Sequence, residues 1–120
     1  MTKVGKHITL DLIGTTKEYD SSVFEKTIHD IAKAANVTIL DISKSKFEPQ
    51  GFTLLALFAV RPISFHTFPE KGVISFDFFT CGKVNPSIAI DIIKKNFEYK
   101  RIVKKEFNRD TKSLYHDIYS

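Results

Sequence analysis

The chain has 120 residues, 42% of them hydrophobic and 27% charged, the balance of an ordinary globular domain and not of a disordered tail, a collagen-like chain or a coiled coil. Eighteen basic residues face fourteen acidic ones for a net charge of +4, mostly interleaved, which permits contact with anionic partners without requiring it. The single cysteine, Cys81, excludes a disulfide framework, argues against a structural zinc site and suits a reducing compartment.

The opening MTKVGKHITLDLIG carries Lys3, Lys6 and Asp11 and does not read as a signal peptide. The longest apolar run, Phe52 to Val60 with Thr53 inside it, falls well short of the roughly 18 residues of a membrane span. A cytoplasmic protein without a membrane segment is expected. Residues 6–13 alternate, with Ile8, Leu10 and Leu12 on one face, and predict a strand. Ser22-Val-Phe-Glu25 fits a capping box, followed by Phe24, Ile28, Ile31, Ala32 and Ala35 at helical spacing, with Asn36 as the stop.

Residues 37–47 predict a second strand, and Pro49-Gln-Gly51 a turn. Residues 53–60 are apolar on both faces, as a central strand covered on both sides would be. Residues 63–67 and 73–80 give two more extended pieces around Pro69-Glu-Lys-Gly72. Asn85-Pro86 opens a second helix whose apolar stripe is Ile88, Ala89, Ile92, Ile93 and Phe97. Residues 99–107 predict a last strand, and residues 109–120 a loose tail. The expected fold is α+β: one domain, a two-layer sandwich of a mostly antiparallel sheet with helices on one face. The doubly apolar strand predicts that the other face is covered by a second copy of the chain.

The stretch from His66 to Cys81 holds His, Glu, Asp and Cys within sixteen residues. His66 and Cys81 read equally as a base and nucleophile or as a core imidazole and a small buried hydrophobe. Lys94, Lys95, Lys100, Arg101, Lys104 and Lys105 form a basic stretch, read as a solvated helix end and strand face. Lys71-Gly72 with Phe78 partly fits an RNA-recognition signature, although Val73 stands where a stacking aromatic belongs. Nucleic acid binding is the weakest of the readings.

Four blocks carry a resemblance: Gly5-Lys6-His7 with Asp11, Phe47-Glu-Pro-Gln-Gly51, His66-Thr-Phe-Pro-Glu70 and Phe79-Thr-Cys-Gly82. Together, and at these intervals, they resemble the prokaryotic S-adenosylmethionine decarboxylases, pyruvoyl enzymes of spermidine and polyamine biosynthesis. The resemblance implies that Glu70 holds ribose hydroxyls and that Phe47 lies near the adenine. It implies that Cys81 reprotonates product and that His66 assists self-processing. Thr53 stands where the family usually has serine and keeps the hydroxyl. The family's sites form between two protomers, which fits the homodimer expected above.

One departure stands out. Those enzymes cut themselves at Glu-Ser within Ser-Glu-Ser-His, and the serine becomes the pyruvoyl group that takes up the electrons of decarboxylation. Counting back from His66, this chain has Ala59-Val60-Arg61-Pro62, with Arg61 at the precursor position. Arginine has no hydroxyl to start an acyl shift. The expectation is a protein without a pyruvoyl cofactor and without metal, binding S-adenosylmethionine or a related adenosine thioether through Phe47, Thr53, Glu70, Asp11 and Arg61. It would act alone or in a hetero-oligomer with an active paralogue. Arg61 could pair with the substrate carboxylate, turn to solvent or pair with an acid such as Asp11. The alternative is a lyase that splits the sulfonium to methylthioadenosine, which needs positioning and at most one base.

Overall fold

The computed structural model describes residues 3–15, 17–46, 51–58, 62–80 and 86–110. Six strands, β1 (Lys3–Ile13), β2 (Ile39–Lys46), β3 (Phe52–Phe58), β4 (Pro62–Phe68), β5 (Val73–Thr80) and β6 (Arg101–Asp110), are joined by helices α1 (Ser21–Ala35) and α2 (Pro86–Asn96) and one 3₁₀ turn, Pro69–Lys71. The strands form one sheet in the order β2-β3-β4-β5-β1-β6. Every neighbouring pair is antiparallel.

Period-two alternation decides which side chains meet the helices. Ile8, Leu10 and Leu12 of β1 lie opposite Phe78, Phe76 and Ile74 of β5, and Ile63 and Phe65 of β4 continue those rows. All are buried, together with Phe52, Leu54, Ala56 and Phe58 of β3. From above, α1 contributes Phe24, Ile28, Ile31 and Ala32, and α2 contributes Ala89, Ile90 and Ile93, with Phe97 just beyond its end. Phe24 anchors this layer: its ring centroid is 4.8 Å from Phe52, 4.9 Å from Phe97 and 5.5 Å from Phe65. The two-layer α+β sandwich predicted from the sequence is the fold observed.

Several local expectations are corrected. α1 is capped by Asp20, whose carboxylate accepts from the Ser22 backbone N–H at 3.0 Å and from the Ser22 hydroxyl. The capping box therefore does not form. Glu25 instead accepts from Lys44 of β2 at 2.8 Å, because a helix beginning at Ser21 carries Glu25 past the cap and towards the sheet. Asn36 ends the helix as expected, in the left-handed region at φ 57°.

β3 is next to the edge strand β2 and not central, and only its even positions are covered; Leu55 and Leu57 stand 45% and 44% exposed. Both of its faces are apolar, but this chain has helices for only one of them. α2 begins at Pro86 as expected; Asn85 and the 47–50 turn lie outside the described residues. β6 runs through Asp110, and residues 111–120 lie outside the described residues.

Gly72 links the turn to the rest. It sits at φ 65°, and its carbonyl accepts from the backbone N–H groups of Gly14 and Thr15 at 2.9 and 3.0 Å. A Cβ there would lie 3.2 Å from the Thr15 carbonyl oxygen, so both sterics and φ favour glycine. Among the described residues, no helix is long and apolar enough to cross a membrane.

Candidate ligand-binding site

The outer face of the sheet, away from the helices, carries the chemistry. In strands whose even positions are buried, the odd positions of β1 and β5 must point outward. In β4 the outward positions are even, because Ile63 and Phe65 point inward. The registers then set one line of partners across five strands: Asp11, Ser75, His66, Thr53 and Ser45. A second line holds Thr9, Asp77, Ser64 and Leu55. The first four members of the first line and the first three of the second are half-buried in the single chain.

These groups are tied to one another. The Ser75 hydroxyl donates to the Asp11 carboxylate at 2.7 Å. The Thr53 hydroxyl and His66 Nδ1 are 3.1 Å apart, which occupies one ring nitrogen and orients the ring. His7 Nε2 lies 3.1 Å from Asp77 Oδ1, and its ring stacks on Phe79 with centroids 4.2 Å apart and planes 13° apart. Phe107 of β6 closes on the other side at 5.9 Å. Apolar groups flank the polar lines, with Leu55 and Leu57 on β3, Phe68 on β4 and Phe107 on β6 all exposed. Among the described residues, no three metal-ligating side chains cluster.

Of the residues singled out in the sequence, His66, Thr53 and Asp11 share the first line. Glu70 lies beyond them on the 3₁₀ turn, exposed, two residues past the outward-facing Phe68. Phe47, Arg61 and Cys81 lie outside the described residues. Sequence reasoning gave no role to Ser75, Asp77 or His7, although all three lie in or between the quoted motifs. Their signal was the alternation: each is polar and odd-numbered in a strand whose even positions are apolar. Ser64 follows from the same rule applied to β4.

A cleft of about 200 Å³ opens where Gly51 and Phe52, Thr67 and Pro69, and the segment from Lys17 to Tyr19 meet over Phe24. It borders the turn that carries Glu70. It is smaller than the roughly 300–1,000 Å³ of most small-molecule pockets. The described residues offer a cleft of this size and a polar sheet face.

The partial RNA-recognition signature does not survive the structure. Phe78 is 2% exposed and Phe76 fully buried under the helices, so neither can stack on a base. Their even positions on β5 turn them inward.

A family model described as S-adenosylmethionine decarboxylase matches residues 6–110. The chain is 39% identical over 111 residues to a protein of Prochlorococcus marinus (strain MIT 9313) named S-adenosylmethionine decarboxylase proenzyme, covering 90% of this chain and 89% of that one. It is 38% identical over 105 residues to a protein of the same name from Methanococcus maripaludis (strain C7), covering 85% and 86%. Its fold superposes on the crystal structure of the adenosylmethionine decarboxylase from Aquifex aeolicus VF5 with a TM-score of 0.77 and 33% identity, covering 91% of this chain and 92% of that one. With the match running from the first outer-face strand to the last, the chain belongs to the S-adenosylmethionine decarboxylase family.

Proposed function

We propose that this chain binds S-adenosylmethionine or a related adenosine thioether between two copies of itself, and neither processes itself nor decarboxylates the ligand. The observation that carries the second half is Arg61 in Ala59-Val60-Arg61-Pro62, at the place where the resemblance calls for the pyruvoyl-forming serine. Arginine cannot form an ester by an N-to-O shift, so the residues present do not fit a pyruvoyl group. The nearest hydroxyl, Ser64, lies within β4, paired with Leu55 on one side and Asp77 on the other. Cutting before it would sever a strand held by ladders on both sides, next to Ile63 in the core.

The polar outer face supports the first half of the reading. Asp11, His66 and Thr53 are held by local hydrogen bonds where a ligand lying on the sheet would meet them. Glu70, on the turn that borders the cleft, supplies the ribose contact, and the family resemblance assigns the adenine contact to Phe47. A second copy is the occupant that closes the site. Leu55 and Leu57 offer it apolar area. Arg101 and Lys105, which share the outward rows of Ile13 and Thr9, lie on the β6 edge, and Asp41 lies on β2 at the opposite edge. A two-fold axis along the strands sets Arg101 and Lys105 of one copy over the edge that carries Asp41 in the other.

The test is mass spectrometry of the purified protein after incubation with S-adenosylmethionine. The chain is expected at its uncut mass of 13.7 kDa, with intact ligand retained on it. A cut chain, or ligand that has lost carbon dioxide, would overturn the reading. Methylthioadenosine formed faster than in buffer would favour the lyase, with Glu70, Asp11 and His66 as candidate bases.

A further inference from the structure

His7 is not needed to contact the ligand in the reading above, yet it is held more closely than any other imidazole described. Its ring lies flat on Phe79 and beside Phe107, and its Nε2 meets the Asp77 carboxylate at 3.1 Å. In the single chain this pair keeps contact with water, with side chains 28% and 35% exposed. A second copy laid on the outer face removes that water.

We infer that the His7–Asp77 pair makes self-association through the outer face proton-linked, with association favoured towards slightly acid pH. This inference rests on the proposed homodimer and adds its regulation. With a neutral imidazole, covering the pair would bury a lone carboxylate in each copy, which is costly. With an imidazolium, the covered pair is neutral overall, and the charged ring gains from the aromatic faces on both sides. Covering the pair therefore favours the charged ring, and association is accompanied by proton uptake there.

The surroundings do not cancel this preference. β5 turns Asp77 and Phe79 towards the ring. β6 contributes Phe107 and, one row on, the exposed Lys105 opposite Thr9. Lys6 and Glu106 pair with each other at 3.6 Å. Further along the face stand Asp11, bonded to Ser75, and His66 of β4, bonded to Thr53 and not to a carboxylate.

Sedimentation velocity of the full chain across a concentration series at pH 6, 7 and 8 tests the inference. The dissociation constant is expected to rise roughly tenfold or more from pH 6 to pH 8, because each dimer links a proton at the His7–Asp77 pair of both copies. His7→Gln keeps a donor near Asp77 but cannot titrate, and should reduce the change to about twofold or less. Asp77→Asn, with folding checked by circular dichroism, removes the carboxylate and should also flatten the profile. A dimer whose constant does not change with pH, or a pH profile kept in His7→Gln and lost in His66→Gln, would overturn the inference and leave the homodimer standing. A chain that stays monomeric at every pH would overturn the homodimer, and the linkage with it.

Discussion

Phe24 shows how much one side chain can hold. It is fully buried and meets Phe52, Phe65, Phe97 and, edge-on at 6.5 Å, Tyr19. Those rings come from α1, β3, β4 and the segments flanking both helices, so a void there loosens both layers at once. Phe24→Ala should destabilise the fold by about 3–5 kcal/mol, read by urea denaturation. Thr53→Val is its opposite. It keeps shape and β-branching but removes the hydroxyl beside His66 Nδ1. Retention of S-adenosylmethionine should weaken while the melting temperature stays near that of the parent; retention equal to the parent would remove Thr53 from the site. Thr53 was legible in the sequence as a polar break in an apolar run and, through the family resemblance, as a hydroxyl at a position where serine is usual. That its partner is His66 depended on the β3–β4 register.

At the scale of elements, α1 carries the clearest electrostatic device. The Lys26 ammonium donates to the Asp30 carboxylate at 2.8 Å and Asn96 of α2 reaches the same oxygen at 3.3 Å. The Lys26 hydrogen bond is the largest influence and outweighs the opposing effect of burial; with lesser help from Asn96 it holds the Asp30 carboxyl below the ordinary carboxylate range. A depressed carboxyl stabilises the folded state above its unfolded titration range, and that contribution is lost as pH falls through the lower, folded range. The melting temperature should therefore drop on acidification below about pH 4, and Asp30→Asn should flatten that part of the profile. The group is partly exposed, so the effect is small and should shrink further with added salt.

The helix stripes were readable from spacing alone. Phe24, Ile28, Ile31 and Ala32, and Ala89, Ile93 and Phe97, are buried as periodicity requires, whereas Ala35, Ile88 and Ile92 of the predicted stripes are only half-buried and Ile90, outside them, is buried. The cap was not readable, because Ser22 and Asp20 both offer oxygens and the path of the preceding chain chose Asp20.

The whole molecule is a sheet with one face roofed and the other polar at its centre and apolar at its flanks. In the proposed homodimer, that pattern would set a site-bearing contact apart from a simple hydrophobic dimer, whose apolar area lies at the middle. Leu57→Asp, on the exposed side of β3, should leave the unfolding free energy of the monomer within about 1 kcal/mol of the parent, since surface changes cost little. It should raise the dissociation constant of the dimer measured by sedimentation. Unaltered assembly would place the contact elsewhere.

The amino-acid sequence by itself determined the order of elements, the inward face of β1 and most of the inward stripe of each helix, and the absence of a serine at position 61. These depend on local period and residue identity, which no packing can alter. It also carried the family resemblance, through motifs at matching intervals. Only the tertiary structure decided that Asp11, Ser75, His66 and Thr53 form one line, that His7 meets Asp77 across seventy residues, and that Phe76 and Phe78 are hidden from any ligand. Those outcomes follow from strand order and register. Both are settled by long-range pairing and burial, and local sequence constrains them only through parity.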